Sequence, residues 1–293
     1  MEKFEDLFLP SQNFAGLSPP FSNLSRARAV IIPVPYDGTT EWHSGTRHGP
    51  QAIIEASQYL ELYDPEIERE IHKVGIHTLP PVEPSLNSPE RMIDRVYRVT
   101  SQVLWREKLP VMLGGEHSLS LGVVQALRER FHDICVLQLD AHADLRDEYL
   151  GTKYSHACVM RRICELCPIV QVGIRSLSLG EKQFLDKNKM HPFYFSVQSS
   201  DLAPENIAGM LSDNVYITID LDVFDPAIMP AVGTPEPGGM QWQEVLGLLR
   251  YVTHHKKVIG FDVVELCPEG GNHSCAFLAA KLIYKLIGYI TLK

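Results

Sequence analysis

Six apolar runs, each long enough to cross a domain core as a strand, recur along this chain between stretches of helical spacing. They are AVIIPVP (29–35), LPVMLGG (109–115), ICVLQLD (134–140), IVQVGIR (169–175), VYITIDLDV (215–223) and KVIGFDVVE (257–265). KVGI (73–76) and PFYFS (192–196) are weaker members of the set. Helical patterns lie near 51–61, 89–106, 119–130, 157–166, 203–212, 240–253 and 273–290. Continuous apolar strands that alternate with helices pair in parallel and are covered on both faces. The expected class is therefore α/β, with a central, mostly parallel sheet. The Pro-rich stretch TLPPVEPSLNSPE (78–90) looks like a linker, but the rhythm resumes on both sides of it. We expect a surface loop there and a single domain over 1–293.

Ligands of open parallel sheets bind beyond the carboxyl ends of the strands, so the residues that follow each run carry the information. VMLGG leads into Glu116-His117, ICVLQL into Asp140, His142 and Asp144, VYITI into Asp220 and Asp222, and VIGFDVV into Glu265. A strand has a side-chain period of two, so Asp140, His142 and Asp144 point the same way. Carboxylates gathered in this manner are costly unless something positive lies among them. The candidate ligands are His117, Asp140, His142, Asp144, Asp220 and Asp222; four carboxylates and two neutral imidazoles balance two divalent cations. Oxygen-rich ligation without thiolate suits Mn²⁺ better than zinc, and two such cations can activate water at neutral pH for hydrolysis. Each piece also has a plainer role. His117 sits where it could cap the helix near Ser118, Asp220 and Asp222 precede the turn pair Asp225-Pro226, and Glu265 could be half of a salt bridge. The combination points to a metal site because the groups fall at the ends of the right strands.

Composition narrows the partners. Twenty-seven basic residues against 36 acidic ones give a net charge of −9, which disfavours nucleic acid and anionic membranes and favours cationic ligands. The segment MEKFEDLFLP (1–10) is acidic where a secretion signal would be basic, and no run of 18 apolar residues occurs, so a cytoplasmic location is the expectation. Of six cysteines only Cys164 and Cys167 form a C-x-x-C, with no second pair to complete a zinc site.

LGGEHSLSLG (113–122), VLQLDAHAD (136–144) and TIDLDVFDPAIMPAVGTPEPGG (218–239) resemble the three signature segments of the ureohydrolases, the arginase and agmatinase family. The similarity extends from GTTEWHSGTRHGP (38–50) to the final helix. The resemblance implies a three-layer αβα sandwich and two manganese ions per subunit. One would be held by His117 and Asp144 and the other by His142 and Asp222, with Asp140 and Asp220 bridging. It further implies that Glu265 holds the substrate guanidinium with Thr234 nearby, that His156 of YSHACVMRR shuttles protons, and that the subunits form trimers or hexamers.

The family's arginases recognise an α-carboxylate with a loop that here reads LRDEYLGTKYS (145–155) and lacks the Ser-Gly-Asn before the histidine. Asp147 and Glu148 would repel a carboxylate and attract an amine, whereas Arg146 or Lys153 could meet an anion. The expected substrate is agmatine, hydrolysed to putrescine and urea. Aminopropylagmatine, giving spermidine and urea, is the alternative, followed by arginine and guanidinobutyrate. Two other classes are a one-metal deacetylase-like amidohydrolase and a non-catalytic homologue. The first needs a tandem histidine pair, and His254-His255 lies at a probable helix end; the second would have lost ligands, and none is missing.

Overall fold

The computed structural model describes residues 12–195, 202–268 and 273–292. In chain order its elements are β1 (Ala29–Val34), α1 (Gly49–Ser57), β2 (Tyr63–Asp64), β3 (Arg69–Glu70), β4 (Ile76–Thr78), α2 (Pro89–Trp105), β5 (Leu109–Gly114), α3 (Ser120–Arg130) and β6 (Ile134–Leu139). There follow α4 (Val159–Ile163), β7 (Ile169–Ile174), α5 (Leu179–Asn188), β8 (Phe193–Tyr194), α6 (Pro204–Gly209), β9 (Asn214–Asp220), α7 (Trp242–His255), β10 (Lys257–Val264) and α8 (His273–Thr291). Eight strands form one sheet in the order β4-β1-β5-β10-β9-β6-β7-β8, and every pairing in it is parallel. β2 and β3 make a separate antiparallel hairpin.

Because side chains alternate along a strand, the sheet separates two apolar cores. On β1, Ala29 and Ile31 face one and Val30, Ile32 and Val34 the other. Helices α1, α6, α7 and α8 close the first core, for example through Ile53, Ile207, Leu249 and Ile283. Helices α2, α3, α4 and α5 close the second through Val96, Val123, Met160 and Leu185. This is the three-layer αβα arrangement. α8 is long and apolar enough to cross a membrane, but most of it is buried and it packs on α1 and α7, as a core helix does. Its one deeply placed cation, Lys285, reaches Asp64 at 2.9 Å and Glu66 at 2.8 Å. Burial alone would raise both carboxyls; the hydrogen bonds from Lys285 bring them below their ordinary values.

The weaker expectations are adjusted locally. The 73–76 run is not a strand: Ile71–Val74 is a short 3-10 turn, and Gly75, at φ 80°, redirects the chain into β4. The 192–196 run supplies the two-residue edge strand β8; its last residue, like the acidic segment 1–10, lies outside the described residues. α5 and the β2–β3 hairpin were not expected. The Pro-rich stretch stays with the sheet, Leu79 N–H donating to the Ile31 carbonyl and Val82 N–H to that of Pro33.

Candidate metal centre and active-site cavity

The four strands whose ends carry the acidic and imidazole groups, β5, β10, β9 and β6, are contiguous in the sheet. One register row crosses them through Leu113, Val263, Ile219 and Leu139. The next residue on β9 is Asp220 and on β6 Asp140, so two of the carboxylates lie side by side because of strand register. Two residues earlier, Asp262, Thr218 and Gln138 project to the same face and are fully buried. The turn after β5 can carry His117 inward because Gly115 crosses Tyr36 closely: a Cβ there would sit 1.8 Å from the Tyr36 carbonyl oxygen.

Two clusters of three result. His117, Asp140 and Asp220 form one and Asp140, His142 and Asp222 the other, with Asp140 in both. His117 Nδ1 has carboxylate oxygens of Asp140 at 3.1 Å, Asp144 at 3.1 Å and Asp220 at 3.4 Å. His142 Nδ1 lies 2.8 Å from Asp222 Oδ2 and 3.7 Å from Asp140 Oδ1. On the other side of the His117 ring, Nε2 is 2.8 Å from Thr218 Oγ1, whose hydroxyl donates to Asp262 Oδ1 at 2.6 Å. That chain commits Thr218 as an acceptor toward the imidazole, so Nε2 carries the proton and Nδ1 presents a lone pair to three carboxylates. Nδ1 is buried and has no hydrogen-bond partner. A lone pair facing carboxylates is repulsive unless a cation stands between them, and this is the fit the residues offer to a metal.

Without a metal, protons must answer the same demand for positive charge. Burial, then the charges of Asp222 and Asp220, push Asp140 well above the ordinary carboxylate range, and burial with Asp222 does so for Asp220. Burial would lower the His117 imidazole, but Asp140, Asp144 and Asp220 hold it well above its usual value; Asp222 and Asp140 likewise draw His142, against its burial, up to about 11. Asp222, despite burial, is kept at about 2 by His142 and the Ala141 amide. The site is short of positive charge. Two divalent cations would supply it from His117, Asp140, His142, Asp144, Asp220 and Asp222, and when bound they would lower the pKa of water for attack.

All of these but Asp140, which is fully buried, open on a cavity of about 290 Å³ that is also lined by Glu265, His156, Thr234, Tyr149, Glu41 and Arg146. Glu265 follows β10 with φ 65°, and Asp144 follows β6 with φ 53°, both in the left-handed region that side chains avoid. Such residues cost about 1–3 kcal/mol each and gather at functional sites. Glu265 accepts the His117 N–H at 2.7 Å, and burial followed by repulsion from Glu116 drives its carboxyl well upward. His156 begins the turn before α4, and burial lowers its imidazole below the ordinary value against the pull of Asp144. Thr234 lies exposed at the mouth.

Asp147 is placed differently from the sequence expectation. Its carboxylate is taken by Arg162 at 2.6 Å, with Arg161 at 3.9 Å, and with Glu148 it lines a neighbouring depression. A salt bridge to a helix 15 residues on competes successfully for its charge. The acid that does reach the mouth is Glu41, whose Oε2 accepts the Tyr149 hydroxyl. His254 and His255 are exposed at the end of α7, away from the cavity, and the Cys164 and Cys167 thiols are pushed by burial to about 12. Sequence reasoning also gave no role to Glu116, though it stands at a strand end, and passed over Thr39. Glu116 is fully buried and accepts from Thr39 N–H at 2.6 Å, the Thr39 hydroxyl at 2.7 Å and the Ser118 hydroxyl. Burial raises it to about 7, with those donors holding it down. The rule used at four strand ends, applied also to β1, would have led to Asp37 and Thr39.

A parallel αβα sheet with paired His/Asp clusters at its carboxyl edge is consistent with a binuclear metal hydrolase, and the chain belongs to the arginase family, whose model matches residues 27–288. It is a ureohydrolase. It is 40% identical over 273 residues, 90% of this chain and 89% of the relative, to the N(1)-aminopropylagmatine ureohydrolase of Synechocystis sp.. The agmatinase of Pyrococcus horikoshii is 35% identical over 276 residues, 92% of this chain and 94% of that protein. The crystal structure of the agmatine ureohydrolase of Thermoplasma volcanium superposes with a TM-score of 0.86 at 33% identity, covering 97% of this chain and 96% of that one.

Proposed function

We propose that residues 1–293 act as one manganese-dependent ureohydrolase domain that releases urea from a guanidine bearing a cationic tail, N(1)-aminopropylagmatine, leaving spermidine. The observation that carries the chemistry is the pair of His/Asp clusters sharing Asp140 in the same cavity as Glu265. The tail is argued from charge and from likeness. With Asp144, Asp220 and Asp222 committed to metal, Glu41, Glu181 and Glu265 remain on the cavity lining against Arg146, its one Lys or Arg among the described residues. An α-carboxylate such as that of arginine would enter against that field. The aminopropylagmatine relative is more similar to this chain than the agmatinase reported above.

In this reading Glu265 pairs with the planar guanidinium, for which a carboxylate is the natural partner, and Thr234 contacts the substrate at the mouth. His156 hands a proton to the departing amine, which cannot leave as an anion. The oxygen-rich ligand set without thiolate favours Mn²⁺. Agmatine is the second reading, supported by the Pyrococcus relative. The test is urea release from aminopropylagmatine, agmatine, arginine and guanidinobutyrate by manganese-supplied protein. Aminopropylagmatine should exceed arginine in kcat/KM by more than about tenfold, or about 1.4 kcal/mol of transition-state discrimination. Agmatine turning over faster would establish the second reading, and comparable values for arginine would overturn both.

A further inference from the structure

His156 is held by a residue that no metal or substrate contact requires. Its backbone N–H donates to Thr39 Oγ1 at 3.1 Å, and its ring Nδ1 lies 3.2 Å from the same oxygen. Thr39 has only one hydroxyl proton, and that proton is engaged: it points to Glu116 Oε1 at 2.7 Å. Glu116 receives the Thr39 N–H on its other oxygen and the Ser118 hydroxyl besides, three donors to its two oxygens. The Thr39 oxygen can therefore only accept from the imidazole.

We propose that Thr39 is a positioning residue that fixes His156 as the Nδ1–H tautomer, leaving Nε2 as the nitrogen that exchanges a proton with the leaving amine. The inference rests on the reading that His156 carries that proton. The free side chain of histidine prefers the opposite tautomer, with the proton on Nε2, so an acceptor aimed at Nδ1 is needed to reverse it. The Tyr149 ring, edge-on at 6.1 Å between centroids, flanks the imidazole and offers no competing hydrogen bond to it. Glu116 immediately precedes His117, so the segment that delivers a metal-facing imidazole also orients, through Thr39, the proton carrier.

The experiment compares Thr39→Val, Thr39→Ala, Thr39→Ser and His156→Asn in manganese-supplied protein, reading kcat, KM, metal content and melting temperature. Thr39→Val and Thr39→Ala should lower kcat by about 10–10²-fold, a part of what a positioned acid or base contributes, with KM and metal content near wild type. Thr39→Ser, which keeps the hydroxyl, should recover most of the loss. Normal turnover in either Thr39→Val or Thr39→Ala, with His156→Asn impaired, overturns the role of Thr39 and leaves that of His156 standing. Normal turnover in His156→Asn overturns both. Loss of metal in step with kcat, or a Thr39→Ser as impaired as Thr39→Val, also overturns it by making Thr39 a packing element. Should Thr39→Val not fold, the smaller Thr39→Ala carries the same prediction.

Discussion

Replacing Thr218 by valine tests whether a hydroxyl remote from the substrate prepares the metal-facing nitrogen of His117. The shape is conserved and one oxygen is lost, the one lying 2.8 Å from His117 Nε2 and donating to Asp262 at 2.6 Å. His117 is buried, so an Nε2–H without an acceptor costs about 1–3 kcal/mol. In a chain of this size that lowers the melting temperature of metal-free protein by roughly 2–5 °C. The ring can avoid that cost by moving its proton to Nδ1, where the Asp140, Asp144 and Asp220 carboxylates accept it. The lone pair on that side then disappears. Loss of such an orienting partner weakens metal binding about 10–100-fold, equivalent to about 1.4–2.8 kcal/mol. The cluster around His142 is reached only through the shared Asp140, so a chelator titration should become biphasic, one metal leaving earlier than in wild type and the other affected less. The reasoning is refuted if the valine variant melts lower yet releases both metals together at the wild-type chelator concentration.

Asp140→Asn should weaken both metals, because Asp140 belongs to both clusters, whereas His117→Ala should weaken mainly one; elemental analysis after gel filtration separates them. Lys285→Met leaves Asp64 buried with only the more distant Lys281 at 3.9 Å, so stability should fall by about 3–5 kcal/mol in urea melts, and the Asp64→Asn/Lys285→Met double variant should recover most of it. Asp64 and Glu66 have folded-state pKa values below their unfolded ones, so the stability they contribute is complete above about pH 4.5 and is lost as pH falls through the depressed values. Wild type should therefore lose melting temperature more steeply than Lys285→Met on acidification from neutral pH. Asp147→Asn, already neutralised by Arg162, should leave KM within about twofold, while Glu41→Gln should raise KM for a cationic-tailed substrate several-fold.

The main strands and the cluster were legible because both depend on local patterns that survive folding. A run such as ICVLQLD must be covered on both faces, and it delivers Asp140, His142 and Asp144 to the sheet edge. The strand itself ends at Leu139, and Asp144 reaches His117 from a backbone at φ 53°, not by the strand alternation the sequence suggested. What escaped depends on partners far along the chain. Asp147 and Glu41 are equally acidic in sequence, and only the fold reveals that Arg162 claims one while Tyr149 holds the other toward the cavity. α5 buries little more than Glu181 and Leu185 and so has no apolar stripe, although its Ser178–Glu181 capping box was visible in the letters. Thr39 and Glu116 lie 77 positions apart and acquire meaning only when β1 and β5 become neighbours.

The register row that sets Asp140 beside Asp220 has an evolutionary corollary. The metal-facing groups occupy the strand ends and the few residues beyond them, whereas the cavity mouth is furnished by Thr40, Glu41, Trp42 and Tyr149 from the loops after β1 and β6. Backbone pairing across four interior strands resists drift, since a slip of one residue would turn every ligand over. Beyond Thr39 the loops bear no such constraint and can be exchanged. Grafting segments 40–46 and 145–155 between members of the family, with Thr39 left in place beside His156, is therefore the economical way to transplant substrate preference.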